Sequence, residues 1–212
     1  MTTNKKNVIL FISFIALTIT VLMIGNNILN VDDLYYNYLI EDLTKEQANK
    51  ELEIKKDFYW LEYLITTIFA FFKFLMISSV VYIGIVLNDG GKVKFKDILN
   101  VVMKSEFIFL FATVIKIIIL YFDKNIGLVD IQNFYPLSAI NITGINGVEK
   151  WLYYPLQVLN LFELCYMLLL SYYIGKILNK NLDYGLKVVI YSYLPSLFLW
   201  IILAVFISIN LY

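Results

Sequence analysis

The chain has 212 residues, 60% of them apolar and only 16% charged, and its mean hydropathy is +0.74. Soluble domains carry about 25% charged residues, so this composition excludes an ordinary soluble protein and points to a membrane one. Net charge is zero, with 17 basic residues, all lysine, against 17 acidic ones, which disfavours nucleic acid and, without arginine, any bidentate anion clamp.

There is no histidine and a single cysteine, Cys165. Zinc, haem and histidine-based catalysis are excluded on that count, as is an internal disulfide. No cofactor or metal is expected. Cys165 reads as a small apolar residue inside a helix.

Five apolar segments, at about 8–29, 60–87, 101–122, 156–178 and 186–211, each reach the length of a membrane-crossing helix. The expected fold is an all-α integral membrane bundle of five transmembrane helices, forming one domain over 1–212. Lys5 and Lys6 precede the first segment, but its length and the Gly25-Asn26-Asn27 stretch after it predict a retained anchor rather than a cleaved leader.

An acidic loop, 30–59, follows. Thr44 with Gln47 fits a capping box, and Glu46–Lys50 and Glu51–Lys55 are favourably ordered i,i+4 pairs. A solvated helix in its second half is expected. The second segment carries Lys73 near its middle. Asn88-Asp89-Gly90-Gly91 then marks a turn, and Lys92, Lys94 and Lys96 alternate with apolar residues. That alternation suits a stretch on the inner leaflet, where each lysine contributes about 1 kcal/mol against anionic lipid.

The third segment holds Glu106, placed near its inner end, and Lys116. The next loop, 123–155, is too apolar for a free loop and too broken for a span. Its aromatic flanks, Phe134-Tyr135-Pro136 and Trp151-Leu152-Tyr153-Tyr154-Pro155, predict short segments at the membrane surface. A re-entrant loop is the alternative. The fourth segment contains Glu163, and the fifth is interrupted only by Pro195.

Orientation follows from loop lysines. Lys5, Lys6, Lys92, Lys94, Lys96, Lys176, Lys180 and Lys187 fall on one side, against Lys45, Lys50, Lys55, Lys56, Lys124 and Lys150 on the other, whose lysines sit in long loops. A cytoplasmic N-terminus and an external Tyr212 are expected.

Glu163 is the central question. A charge at mid-membrane costs about 2.5–3.5 kcal/mol on insertion scales, so it needs a partner. Counting along the expected spans puts Lys116 and Lys73 at a similar depth. A Glu163–Lys116 pair with Lys73 nearby is the expected arrangement, and Asn160 and Tyr166 share the Glu163 face and are placed to complete its hydrogen bonds. The structural reading is an ion pair that selects helix neighbours. The functional reading is a pathway or substrate contact.

Gly90-Gly91 followed by Lys94-Phe95-Lys96-Asp97-Ile98-Leu99-Asn100-Val101-Val102 resembles the cytoplasmic turn and helix start of the Yip family of Ypt/Rab-interacting membrane proteins and its bacterial relatives. Asn160-Leu161-Phe162-Glu163, Tyr173-Ile174-Gly175, Leu186-Lys187 and Leu194-Pro195 are similar to the last two helices of that domain, so the likeness covers about 70–205. It implies a five-span bundle with no catalytic residues, acting through protein–protein contacts. The expectation is a non-enzymatic scaffold or accessory subunit of a bacterial inner membrane, with the lipid bilayer, anionic lipid at its inner face and a membrane protein as partners. The rival is a small transporter or permease subunit using Glu163.

Overall fold

The computed structural model describes residues 3–89, 93–123, 126–144 and 147–211. The Gly90-Gly91 turn, Lys92, Lys124 and Tyr212 lie outside the described residues. Among those described, the chain is predominantly helical, with no strand.

Five helices are long and apolar enough to cross a membrane: α1 (Thr3–Ile28), α4 (Tyr59–Asp89), α5 (Phe95–Phe122), α9 (Leu161–Leu178) and α10 (Leu182–Leu211). Their long apolar runs leave the backbone no polar partner but itself in lipid, and a helix satisfies every such group internally. Side chains such as Phe69, Phe198 and Leu199 point away from the bundle and stay exposed. A lipid-facing surface has this character, since the solvent there is as apolar as the core. The ends are marked by asparagines in left-handed conformation, Asn30 after α1 and Asn179 after α9, a backbone state that asparagine tolerates better than most residues.

Between α1 and α4 lie α2 (Val31–Leu39) and α3 (Lys45–Asp57). The capping box forms: the Gln47 N–H donates to Thr44 Oγ1, and the Thr44 N–H donates to Gln47 Oε1. The two i,i+4 pairs do not close within ion-pair distance among the described residues. Lys55 and its neighbour Lys56 turn to α2 instead. Lys55 Nζ lies 4.1 Å from the centre of the Tyr35 ring, and Lys56 pairs with Asp32 at 3.6 Å. Tyr59, the first residue of α4, donates a hydrogen bond to the same Asp32. Contact with α2 thus replaces bonding along α3.

Helices α4, α5, α9 and α10 pack as a closed ring, each against the next, and α1 lies on the outside of α5. The buried centre combines Phe74, Val81 and Ile85 with Val101, Val102, Met103, Tyr166, Leu170, Ile174, Val188, Val189 and Tyr193. Small residues set the spacing, as membrane helices require when their packing is driven by close fit rather than by exclusion of water. A Cβ on Gly185 would overlap the backbone carbonyl of Ser171 across the α9–α10 contact. A Cβ on Gly84 would stand 2.5 Å from Ser192 Cβ across the α4–α10 contact.

Several boundaries differ from the sequence reading, with α1 beginning at Thr3 rather than 8 and α10 at Leu182 rather than 186. Helix α5 starts at Phe95, six residues before the expected 101, and α9 starts at Leu161 rather than 156. Between α5 and α9, residues expected at the surface form α6 (Leu128–Asn133), α7 (Ile140–Thr143), a 3-10 turn at Lys150–Leu152 and α8 (Tyr153–Val158). They fold back on the start of α9 through a bridge of Ser138 with Asn160, with Ala139 N–H donating to Leu159 O (2.9 Å) and Leu161 N–H to Leu137 O (3.2 Å). None of these short helices is long enough to span, in keeping with the expectation of short segments.

The close contacts give a clean test. Gly185→Val should lower the detergent-solubilised melting temperature and the yield of folded protein, because overpacking of this kind costs about 1–3 kcal/mol or more. Gly147→Ala, where an added Cβ meets nothing within 4 Å, should leave both unchanged. Equal melting temperatures for the two variants would contradict the α9–α10 contact described.

Candidate functional site: a polar cluster inside the helix ring

Glu106, on α5, is the most buried ionisable carboxylate described, its side chain only 2% exposed. Lys73 of α4 meets it, Nζ to Oε2 at 2.9 Å, and the same ammonium lies 4.6 Å from the centre of the Phe109 ring. Lys73 itself remains 49% exposed. A carboxylate in this position is tolerated because the cation and the ring face both stabilise charge there. Glu106 Oε1 and the Tyr166 hydroxyl are buried close to each other without a hydrogen bond of normal geometry.

Glu163 stands apart from this pair. It occupies the first turn of α9, where Asn160 caps the helix by accepting the Glu163 backbone N–H at 2.8 Å. A carboxylate in a first turn gains about 0.3–1 kcal/mol from the helix dipole. Its Oε1 accepts a hydrogen bond from the Tyr193 hydroxyl of α10 at 2.6 Å, a short bond within the ordinary O–H···O range. The capping position thus accounts for part of what a buried carboxylate needs, and Tyr193 for another part.

The expected Glu163–Lys116 pair is therefore corrected. Lys116 has no ion pair among the described residues, and it lies six residues from the end of α5 at Phe122, about 9 Å along the axis. The longer α5 moves Glu106 towards the middle of the bundle and Lys116 towards its far end, so Lys73 finds Glu106 instead. Asn160 and Tyr166 do not bond the Glu163 carboxylate. The Asn160 amide donates to Gln157 O (2.8 Å) and Val158 O (3.0 Å), and the Tyr166 ring packs between Phe109 and Tyr193, at 5.2 and 5.3 Å.

The segments after α5 close over the cluster. Burial pushes the Tyr135 hydroxyl pKa well up, and the Glu163 and Glu106 carboxylates raise it further. Burial also raises Tyr154; Trp200, which donates its indole N–H to the Tyr154 oxygen at 2.6 Å, and Lys73 oppose that rise, and Glu163 adds to it. Both tyrosines thus stay protonated beside the carboxylates, as neutral donors. Glu106, Tyr193, Tyr135 and Tyr154 complete a cluster with Glu163, Lys73 and Tyr166; the sequence reading sets Glu106 apart, near the inner end of its span, whereas it is buried at the centre with Lys73. The Asn160-x-x-Glu163 spacing, a helix-start pattern, was the signal available for the α9 boundary.

Glu163 also faces a cavity of about 860 Å³. Its walls come from Ile119 of α5, residues 134–142, the α8–α9 junction, and Leu194, Leu197, Phe198 and Ile201 of α10. Nearly all of that lining is apolar, with Glu163 and Asn160 among the few polar exceptions. Leu161, Leu164 and Phe198 on its rim are themselves exposed, so the opening is apolar. Among the described residues no group of acids and cysteines is arranged to hold a metal ion. Lys94 and Lys96 lie at the other end of the bundle, at the start of α5.

Lys73→Met strands the buried Glu106 carboxylate and should destabilise the protein by up to about 3–5 kcal/mol, the cost of breaking a buried pair, reduced by the partial exposure of Lys73. Adding Glu106→Leu should recover part of the loss, while Lys116→Met should be near neutral. Thermal unfolding of the four proteins in one detergent checks this. A Lys116 variant as damaging as the Lys73 variant would refute the pairing.

No family model matches the chain, and no curated protein and no solved structure matches it.

Proposed function

We propose that this multi-pass membrane protein is non-enzymatic and binds or passes an amphiphile through the Glu163 cavity, as a small transporter or permease subunit does. One observation carries the reading: Glu163 opens on an apolar cavity of about 860 Å³ and is not consumed by an ion pair. That volume lies within the range of about 300–1,000 Å³ typical of small-molecule sites. Tyr193 supplies the one described hydrogen bond to the carboxylate, leaving acceptor capacity on the cavity side. Such a site suits a ligand with an apolar body and a cationic or hydrogen-bond-donating head. The exposed apolar rim supports entry from the surrounding lipid.

A second reading is a scaffold or accessory subunit, in line with the resemblance to the Yip family and with a protein partner in the membrane. The Lys73–Glu106 pair favours it, because that pair joins α4 to α5 and specifies helix neighbours. Under either reading we infer a cytoplasmic N-terminus from the lysine distribution, and a bacterial inner membrane location from the resemblance to the bacterial relatives of the Yip family.

The two readings separate on ligand binding. Native mass spectrometry of the purified protein would compare n-dodecylamine with n-dodecanol. The amine should bind about tenfold or more tightly, the effect of one charge-assisted hydrogen bond. Glu163→Gln should erase that preference, and Leu164→Trp, which fills the cavity, should weaken both ligands. Equal binding of amine and alcohol by the unaltered protein would overturn the transport reading.

A further inference from the structure

A second cavity, of about 450 Å³, lies at the end of the bundle that carries Thr3. Lys6 of α1, Lys94 at the start of α5 and Lys104 about three turns later all line it, with Asp97 the one acid among its described lining residues. These ammoniums come from two elements, α1 and α5, and a pair of asparagines fixes the two together. Asn7 is buried, its amide donates to Lys96 O at 2.8 Å, and its oxygen accepts from the Asn100 amide at 2.7 Å. The cavity therefore has a preset width. Lys94 is the N-cap of α5 and makes no side-chain cap, so the positive end of the helix dipole adds to the lysine charge.

The remaining walls include Val93 and Ile177, both apolar, at the ends of spanning helices. An anion with an apolar portion beside it fits this combination better than a free ion. Lysine, unlike arginine, sets no bidentate geometry, which suits a phosphate able to rotate. We propose that this cavity binds the phosphate headgroup of an anionic phospholipid. The site differs from the run Lys92-Val93-Lys94-Phe95-Lys96 read from the sequence. Lys96 contributes its carbonyl to Asn7 rather than its ammonium to the cavity lining, and Lys6 and Lys104 replace it.

The test uses the whole protein in detergent, with thermal unfolding and native mass spectrometry as readouts. Dioleoylphosphatidylglycerol should raise the melting temperature and appear as a retained adduct, and dioleoylphosphatidylcholine should do neither. Lys6→Gln/Lys94→Gln/Lys104→Gln should abolish the adduct, and Lys104→Gln alone should weaken it about fivefold, as one membrane-surface lysine does. Lys176→Gln/Lys180→Gln/Lys187→Gln removes equal charge outside the cavity lining and should retain the lipid. Equal loss in both triple variants would reduce the effect to surface charge and overturn the proposal. Stabilisation by inorganic phosphate as strong as by the lipid would overturn the lipid source, making the cavity a soluble-anion site.

Discussion

The burial of Glu106 is the constraint on which the centre of this bundle depends. A carboxylate 2% exposed among apolar helices costs several kcal/mol unless a cation meets it. Lys73 can do so only if α4 and α5 are neighbours at one register. Phe109 stabilises the ammonium from the same helix as Glu106, so both contacts fix the same pairing. The apolar surfaces of α4 and α5 alone would permit several registers, since lipid offers no penalty for exposing leucine.

Glycine and serine perform the equivalent task on the other side of the ring. Gly185 against the Ser171 backbone and Gly84 against Ser192 bring α10 close to both α9 and α4. That closeness places Tyr193 within hydrogen-bond reach of Glu163. The two carboxylates are thus handled in different ways. Glu106 is neutralised by a cation, whereas Glu163 is held by a helix start and a phenol and keeps a face on the apolar cavity. This asymmetry separates a group that specifies packing from one available to a ligand.

The two ends of the molecule divide the polar work further. One end carries a lysine-lined cavity braced by Asn7 and Asn100. The other is closed by short helices and their connections, from which Tyr135 and Tyr154 stand over the central cluster. Tyr135 and Tyr154 stay neutral there because burial opposes their ionisation, so they add donors without adding charge.

The amino-acid sequence by itself determined the helical class, the five long apolar helices, the retained Thr44–Gln47 cap and the broken character of the segment after α5. These follow from local composition and period, because a long apolar run in lipid has one backbone solution. It also singled out Lys73 and Glu163 as charges that need an account. Tertiary structure alone decided their partners. Depth counted along a helix depends on where the helix begins, and six added residues at the start of α5 exchanged Glu106 for Lys116 as the group at mid-bundle. The Glu163–Tyr193 bond and both cavities join residues distant along the chain. No periodicity within one helix specifies such contacts, because they arise from the rotation and separation of neighbouring helices.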